Sequence, residues 1–215
     1  MKAKAFSLTQ ILAAPAVLAA LLLSAAPALA DAGDWIIRVR AIQLAPDVSS
    51  SVTVIGGSVD IDPDEVPEIA FTYFITNHWA AELILATTRH RVSDNNSTLG
   101  NVDLGKVSLI PPILTLQYHF MPDGKYRPYV GAGINYTIFY DEKAPGTTVT
   151  AISYEDGFGW ALQAGIDIGI TDRVAINFDV KKAYLSSDVN LNNGAILADV
   201  DLDPWVFGIG LAYRF

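Results

Sequence analysis

Cysteine is absent from all 215 residues, which excludes disulfides, thiolate metal centres and a lipidated cysteine behind a leader. Histidine is scarce: His78, His90 and His119 are the three present, and their spacing matches no zinc motif. Basic residues are few, 14 against 23 acidic ones, and a net charge of −9 opposes binding to nucleic acid phosphates. Charged residues make up 17% of the chain and hydrophobic ones 51%, which is too apolar for a disordered polypeptide. Yet beyond the first thirty residues no apolar run approaches the roughly 18 residues of a spanning helix. The hydrophobicity must therefore be distributed in another way.

Lys2 and Lys4 precede an apolar stretch over residues 11–23, followed by Pro27 and the triplet Ala28-Leu29-Ala30. This is the layout of a secretory signal peptide cleaved after Ala30, so residues 1–30 are expected to be removed and 31–215 to form one domain. The other reading is a retained anchor, against which stand Pro15 inside the apolar run and the small-residue site that ends it. Processing would leave 12 basic against 23 acidic residues.

From Trp35 onward, apolar and polar residues alternate with period two over about eight segments of roughly ten residues. These lie near 35–45, 67–76, 79–90, 108–120, 126–140, 157–170, 173–185 and 202–215. The connectors at 77–78, 121–125 and 171–172 are tight, whereas those at 46–66, 91–107, 141–156 and 186–201 are long and polar. Strict alternation of short and long connections is the pattern of an all-β, eight-stranded antiparallel transmembrane β-barrel. Its short turns are periplasmic, its long loops extracellular, and both chain ends lie in the periplasm.

Parity separates a membrane barrel from a soluble one. One face of the second segment carries Ile69, Phe71, Tyr73 and Ile75, the other Glu68, Ala70, Thr72 and Phe74. The sixth opposes Phe158, Trp160, Leu162 and Ile166 to Gly159, Ala161, Gln163 and Asp167, and the seventh opposes Ile176 and Phe178 to Asn177 and Asp179. Eight strands enclose too little room for the bulky set, so it must face lipid and the small or polar set must line the lumen. The last segment, with Trp205, Phe207, Ile209, Leu211, Tyr213 and Phe215 on one parity, closes the barrel and ends on an aromatic residue as an assembly signal would.

Depth can be assigned to each inward residue from its distance to a turn or a long loop. Toward the periplasm the set includes Arg38, Arg40, Glu82, Gln117, Arg127, Asp167, Asp179 and Arg214. Both charge signs facing a narrow space predict a paired network that plugs the lower lumen, with a solvated polar lining as the alternative. Toward the outside, Ile42, Leu44, Ile84, Leu109, Ile113, Phe139 and Val206 predict an apolar pocket, with Glu68 a polar exception. Pro111 and Pro112 each lack an N–H, so either the fourth strand starts after them or the wall can open sideways there.

The run Tyr126-Arg127-Pro128-Tyr129-Val130-Gly131-Ala132-Gly133-Ile134-Asn135-Tyr136, the segment Phe158-Gly159-Trp160-Ala161 and the ending Leu202-Asp203-Pro204-Trp205-Val206-Phe207-Gly208 with Tyr213-Arg214-Phe215 resemble the OmpW family of outer-membrane proteins. Phe71-Thr72-Tyr73-Phe74, Glu82-Leu83 and Leu114-Thr115-Leu116-Gln117-Tyr118 extend the resemblance over nearly the whole mature chain. It implies an eight-stranded barrel with a hydrophobic channel for small hydrophobic molecules. The family's constriction is apolar; Ile84 fits it, whereas Lys181 stands where a bulky apolar residue would be expected.

No Ser lies beside an inward His with an acidic partner, so no catalytic residues, cofactor or metal are expected. The acidic run at 60–65 lacks the glycine and ligand order of a calcium loop. The expected function is passive uptake of small hydrophobic solutes across the cell outer membrane through the apolar pocket, with lateral exit into the membrane. A non-transporting surface barrel for adhesion, envelope integrity or recognition is the competing class. Expected partners are outer-membrane lipid and lipopolysaccharide, the solute, and the periplasmic chaperones and barrel-assembly machinery that an exported barrel needs.

Overall fold

The computed structural model describes residues 32–45, 48–52, 58–61, 64–97, 100–146, 150–191 and 196–215, so the expected leader at 1–30 lies outside the described residues. The strands are β1 (Trp35–Ala45), β2 (Val48–Val52), β3 (Ser58–Ile61), β4 (Asp64–Phe74), β5 (Trp79–Ala86), β6 (Thr88–Ser97), β7 (Gly100–Ile110), β8 (Ile113–His119) and β9 (Tyr126–Lys143). They continue with β10 (Ile152–Tyr154), β11 (Gly157–Gly169), β12 (Val174–Tyr184), β13 (Ser186–Leu191), β14 (Ile196–Leu202) and β15 (Trp205–Arg214).

Eight of these form a closed antiparallel ring in the order β1, β4, β5, β8, β9, β11, β12, β15 and back to β1. Closure matters because an open edge in hydrocarbon would leave a row of N–H and C=O groups without partners. The closing seam runs from Ile36↔Arg214 to Ala45↔Trp205 without a register shift. Tight turns join strands at one end. Thr76 and Thr171 repeat one device: each side-chain oxygen accepts the backbone N–H three residues on, from Trp79 and Val174, both at 3.0 Å.

Burial follows the expected parity. Glu68, Ala70, Thr72 and Phe74 on β4 are buried while Ile69 and Tyr73 between them are exposed. On β11 and β12, Ala161, Gln163, Asp167, Asn177 and Asp179 point inward, and Trp160, Leu162 and Phe178 point outward. Aromatic rings collect at the rims of this apolar exterior. At the turn end Trp35 packs on Tyr73, Trp79 on Tyr118, and Tyr213 on Phe215. At the other end Trp160 stacks on Tyr184 and Trp205 on Phe207. Amphipathic rings favour the two boundaries of a bilayer, so these girdles mark the span.

The stretches expected to be long polar loops instead carry strands. The β6–β7 hairpin extends the wall outward and pairs with β3 on one side and β9 on the other. A second sheet has the order β10, β13, β14, β2. Strands that project past the membrane meet water on both faces, so nothing imposes apolar alternation on them and their sequences read as loops. The acidic run at 60–65 is likewise divided between the end of β3 and the start of β4.

Two strands expected to be continuous are each split. The expected 79–90 segment breaks at Thr87, between β5 and β6, and the 108–120 segment at Pro111 and Pro112, between β7 and β8. Register is kept through both breaks. Ile84↔Ile113 and Thr88↔Leu109 belong to one alignment, as do Ile113↔Asn135 and Ile110↔Ile138 on the β9 side.

Candidate functional site: a layered lumen

Strand β1 alone reads out the layers. Going up from the turns, its inward residues are Ile36, Arg38, Arg40, Ile42 and Leu44, and all five are buried. The neighbouring strands complete each tier.

The lowest tier is apolar, which parity assignment had missed. Ile36, Phe74, Ala80, Ala175 and Ala212 cluster there. His119 packs between Phe74 at 4.8 Å and Tyr129 at 5.1 Å, and the Arg214 guanidinium lies over the Phe74 ring at 5.5 Å. The bottom of the lumen is thus a small core capped by a cation rather than a purely polar end.

Above it sits an ionic tier. Arg38 donates to Glu82 and, at 2.7 Å, to Asp167, and it donates to the Thr72 hydroxyl at 2.5 Å. Arg40 donates to Glu68 at 2.6 Å, to Asn177 at 2.6 Å and to Glu82 at 3.4 Å. Lys181 bridges Glu68 at 3.1 Å and Asp179 at 2.5 Å. Three cations and four carboxylates are therefore interleaved with almost no exposure. Amides and a phenol fill the remaining valences: Gln163 donates to Glu82 at 3.0 Å and Asp179 at 2.8 Å, Asn177 to Asp167 at 2.7 Å, and Tyr129 to Asp179 at 2.6 Å.

Buried charges persist when each has several partners, and removing one of them strands the others. Of the residues expected in this network, Arg38, Arg40, Glu82, Asp167 and Asp179 form its centre. Gln117 joins through Gln163 at 3.0 Å. Arg127 and Arg214 are buried nearer the turns, and Arg127 is in register with Asp167.

Sequence reasoning missed five members of this tier: Glu68, Lys181, Tyr129, and Gln163 and Thr72, which parity had placed inward without a role. Glu68 had been read as an exception in the apolar half and Lys181 as a departure from the family pattern, yet each is the other's partner. Tyr129 was overlooked, although the signal for it stood opposite in register at Gly165: a Cβ there would overlap the phenol ring.

The upper tier is apolar. Ile42, Leu44 and Val206 cluster with Val66 and Ala86. Ile84 and Ile113 cluster with Ala70, Ala161 and Ala183. Leu109 and Phe139 stand opposite each other on β7 and β9, with Phe139 stacked on Tyr154 at 5.2 Å. The expected pocket residues therefore form two contiguous groups and a higher pair. The Asn135 amide and the Thr137 hydroxyl are buried on the same β9 face with no hydrogen-bond partner among the described residues.

Beside this tier the wall has a discontinuous seam. Between Ile84↔Ile113 and Thr88↔Leu109 no ladder pair joins the two walls among the described residues. Pro111 and Pro112 are at this gap, and on the β9 side the Pro112 carbonyl still accepts the Tyr136 N–H at 3.2 Å. A separate open groove of about 770 Å³, bounded by Phe178, Val180, Phe207 and Ile209, lies on the outer face, where acyl chains rather than solute would fill it.

A closed ring with an apolar exterior between aromatic girdles and an ionised interior is an outer-membrane β-barrel. The OmpW family matches residues 31–215, and the chain belongs to it. It is 34% identical to outer membrane protein W of Vibrio cholerae over 212 residues, 93% of this chain and 96% of that protein. It is 29% identical to the dibenzothiophene metabolism operon protein PahQ of Pseudomonas aeruginosa, over 89% of this chain and 93% of the relative. Among solved structures, the outer membrane protein OprG of Pseudomonas aeruginosa superposes with a TM-score of 0.78 at 30% identity, covering 86% of this chain and 97% of OprG. The protein is thus an outer-membrane barrel of the OmpW family.

Proposed function

We propose that this barrel takes up small hydrophobic molecules from outside and releases them sideways into the membrane. The observation that carries this reading is the order of the tiers: an apolar tier at the outer end sits on a layer of buried ion pairs. A hydrophobic solute would be stabilised among Ile42, Leu44, Ile84, Ile113 and Val206 by roughly 25 cal/mol for each Å² removed from water. The same solute gains nothing by displacing Arg38 or Glu82 from their partners, so the axial route ends there.

The interrupted seam at Pro111 and Pro112 would serve as the exit, because it adjoins Ile84 and Ile113 in the wall of the apolar tier. The relation to a protein of a dibenzothiophene metabolism operon supports a ligand of this character, since dibenzothiophene is apolar and aromatic.

The chain has no native cysteine, so a disulfide can be placed across the seam without side reactions. Leu85 and Pro112 each lie one residue beyond the Ile84↔Ile113 pair, at the edge of the gap. The double variant Leu85→Cys/Pro112→Cys should block uptake of dibenzothiophene into cells when oxidised and restore it on reduction. Undiminished uptake through the oxidised barrel would reject the lateral route. Absence of uptake through the wild-type barrel would favour a surface role without transport.

A further inference from the structure

Few basic residues are available to this acidic chain, yet four of them are gathered at one place outside the site described above. Arg91 pairs with Lys106 across β6 and β7, and Lys106 pairs with Lys143 across β7 and β9. Arg89 is one rung lower, paired with Ser108, which in turn pairs with Tyr140. Lys106, Lys143 and Arg89 are exposed.

Like charges placed directly opposite on neighbouring strands destabilise a sheet, so Lys106 opposite Lys143 is a local cost. The structure offsets part of it. A register shift between Lys106 and Ser108 coincides with Asp141 in the left-handed region, at φ 52°. That bulge turns Asp141 toward both Arg89 and Lys143, the latter at 2.9 Å. The hydrogen bond from Lys143, and then the charge of Arg89, hold the Asp141 carboxyl below its usual range. One carboxylate thus bridges two of these cations. Gly105 is also fixed by this geometry, because a Cβ there would collide with the Lys143 carbonyl.

Position gives the cluster its meaning. The rows just below it on the same wall are apolar and outward: Ile110 pairs with Ile138, both exposed, and Tyr140 is exposed beside them. The basic rung is therefore the first polar row above the lipid-facing band on this side of the barrel. In the outer leaflet that level holds the phosphorylated sugars of lipopolysaccharide, which are anionic and fixed at a defined depth. Lysine and arginine supply the donors that such phosphates accept.

We propose that Arg89, Lys106 and Lys143 form a binding site for the phosphorylated headgroup of lipopolysaccharide. The site docks one glycolipid against the β6–β7–β9 wall, with its acyl chains along Ile110 and Ile138. Asp141 arranges Arg89 and Lys143 and leaves Lys106 to the ligand. The proposal does not depend on the transport reading.

The test uses the folded full barrel in detergent without divalent cations, titrated with bisphosphorylated lipid A, with lipid A stripped of its phosphates, and with inorganic phosphate. Bisphosphorylated lipid A should bind at least tenfold more tightly than the stripped form, and millimolar inorganic phosphate should not displace it. Lys106→Gln/Lys143→Gln should weaken binding by about twenty-five-fold, at about fivefold per charge near an anionic surface. Lys106→Arg/Lys143→Arg should retain binding, and Lys125→Gln in a periplasmic turn should not alter it. Equal affinity for stripped lipid A, displacement by inorganic phosphate, or an effect of Lys125→Gln equal to that of the double variant would each overturn the assignment. The comparison of the two lipids needs no variant, so it decides the matter even where a substitution impairs folding.

Discussion

If the ionic tier is a mutually dependent network, removing one charge should cost nearly as much as removing a pair. Arg38 and Glu82 are suited to this test because both are fully buried and bonded to each other. Arg38→Met leaves Asp167 and Glu82 without their principal cation, and Glu82→Leu leaves Arg38 and Arg40 short of an acceptor. Breaking a buried pair from one side costs about 3–5 kcal/mol, whereas replacing both members by apolar groups is often close to neutral. The neighbours Asp167, Arg40 and Thr72 keep the double replacement from being neutral here, so we expect about 3–5 kcal/mol for each single variant and no more for the double. The coupling is then at least about 3 kcal/mol, at or above the upper end of measured pairs.

Urea titration of the refolded barrel in lipid vesicles reads these differences. The signal is tryptophan fluorescence, since Trp35, Trp79, Trp160 and Trp205 all lie on the lipid-facing surface. Single variants within about 1 kcal/mol of wild type, or additive effects in the double variant, would show that the lumen is a solvated lining and refute the plug.

Three further expectations concern packing, the apolar tier and the exterior. Gly165→Val places methyl groups where the Tyr129 ring sits, and overpacking of this kind should cost about 1–3 kcal/mol in the same titration. Adding Tyr129→Ala to it should recover part of that loss. Ala161→Phe fills the apolar tier from its wall without touching the ionic layer, and should reduce dibenzothiophene uptake while leaving stability within about 2 kcal/mol of wild type. Brominated acyl chains should quench the fluorescence of the folded protein strongly at all four tryptophans, and protection of Trp160 or Trp205 would contradict the placement of the outer girdle.

The barrel was legible in the sequence because a bilayer imposes one rule on every spanning strand. Lipid demands bulk outside and an eight-stranded lumen tolerates little inside, so parity at Ile69, Trp160 or Phe178 fixes which way each residue points. The ionic tier was legible as composition, since Arg38, Arg40, Glu82, Asp167 and Asp179 share one parity and similar depth. Who bonds to whom was not. That depends on the stagger of neighbouring strands, which brings Lys181 on β12 to Glu68 on β4 across the lumen. The apolar floor escaped because Phe74 was weighed as one inward residue at a strand end, and its partners Ile36, Ala175 and Ala212 come from distant parts of the chain. Beyond the membrane the rule lapses, and β6, β7, β13 and β14 lost their signature with it.

The central claim is that a hydrophobic solute reaches the upper tier and stops at the ionic one. A small aromatic carrying a photoactivated diazirine, applied to the barrel in vesicles and mapped by peptide sequencing, tests it directly. Among inward-facing residues, adducts should fall on Ile42, Ile84, Ile113 and Val206 and be absent from Phe74, Ala80 and Ala212. Labelling of those three floor residues, or of no inward residue at all, would contradict it.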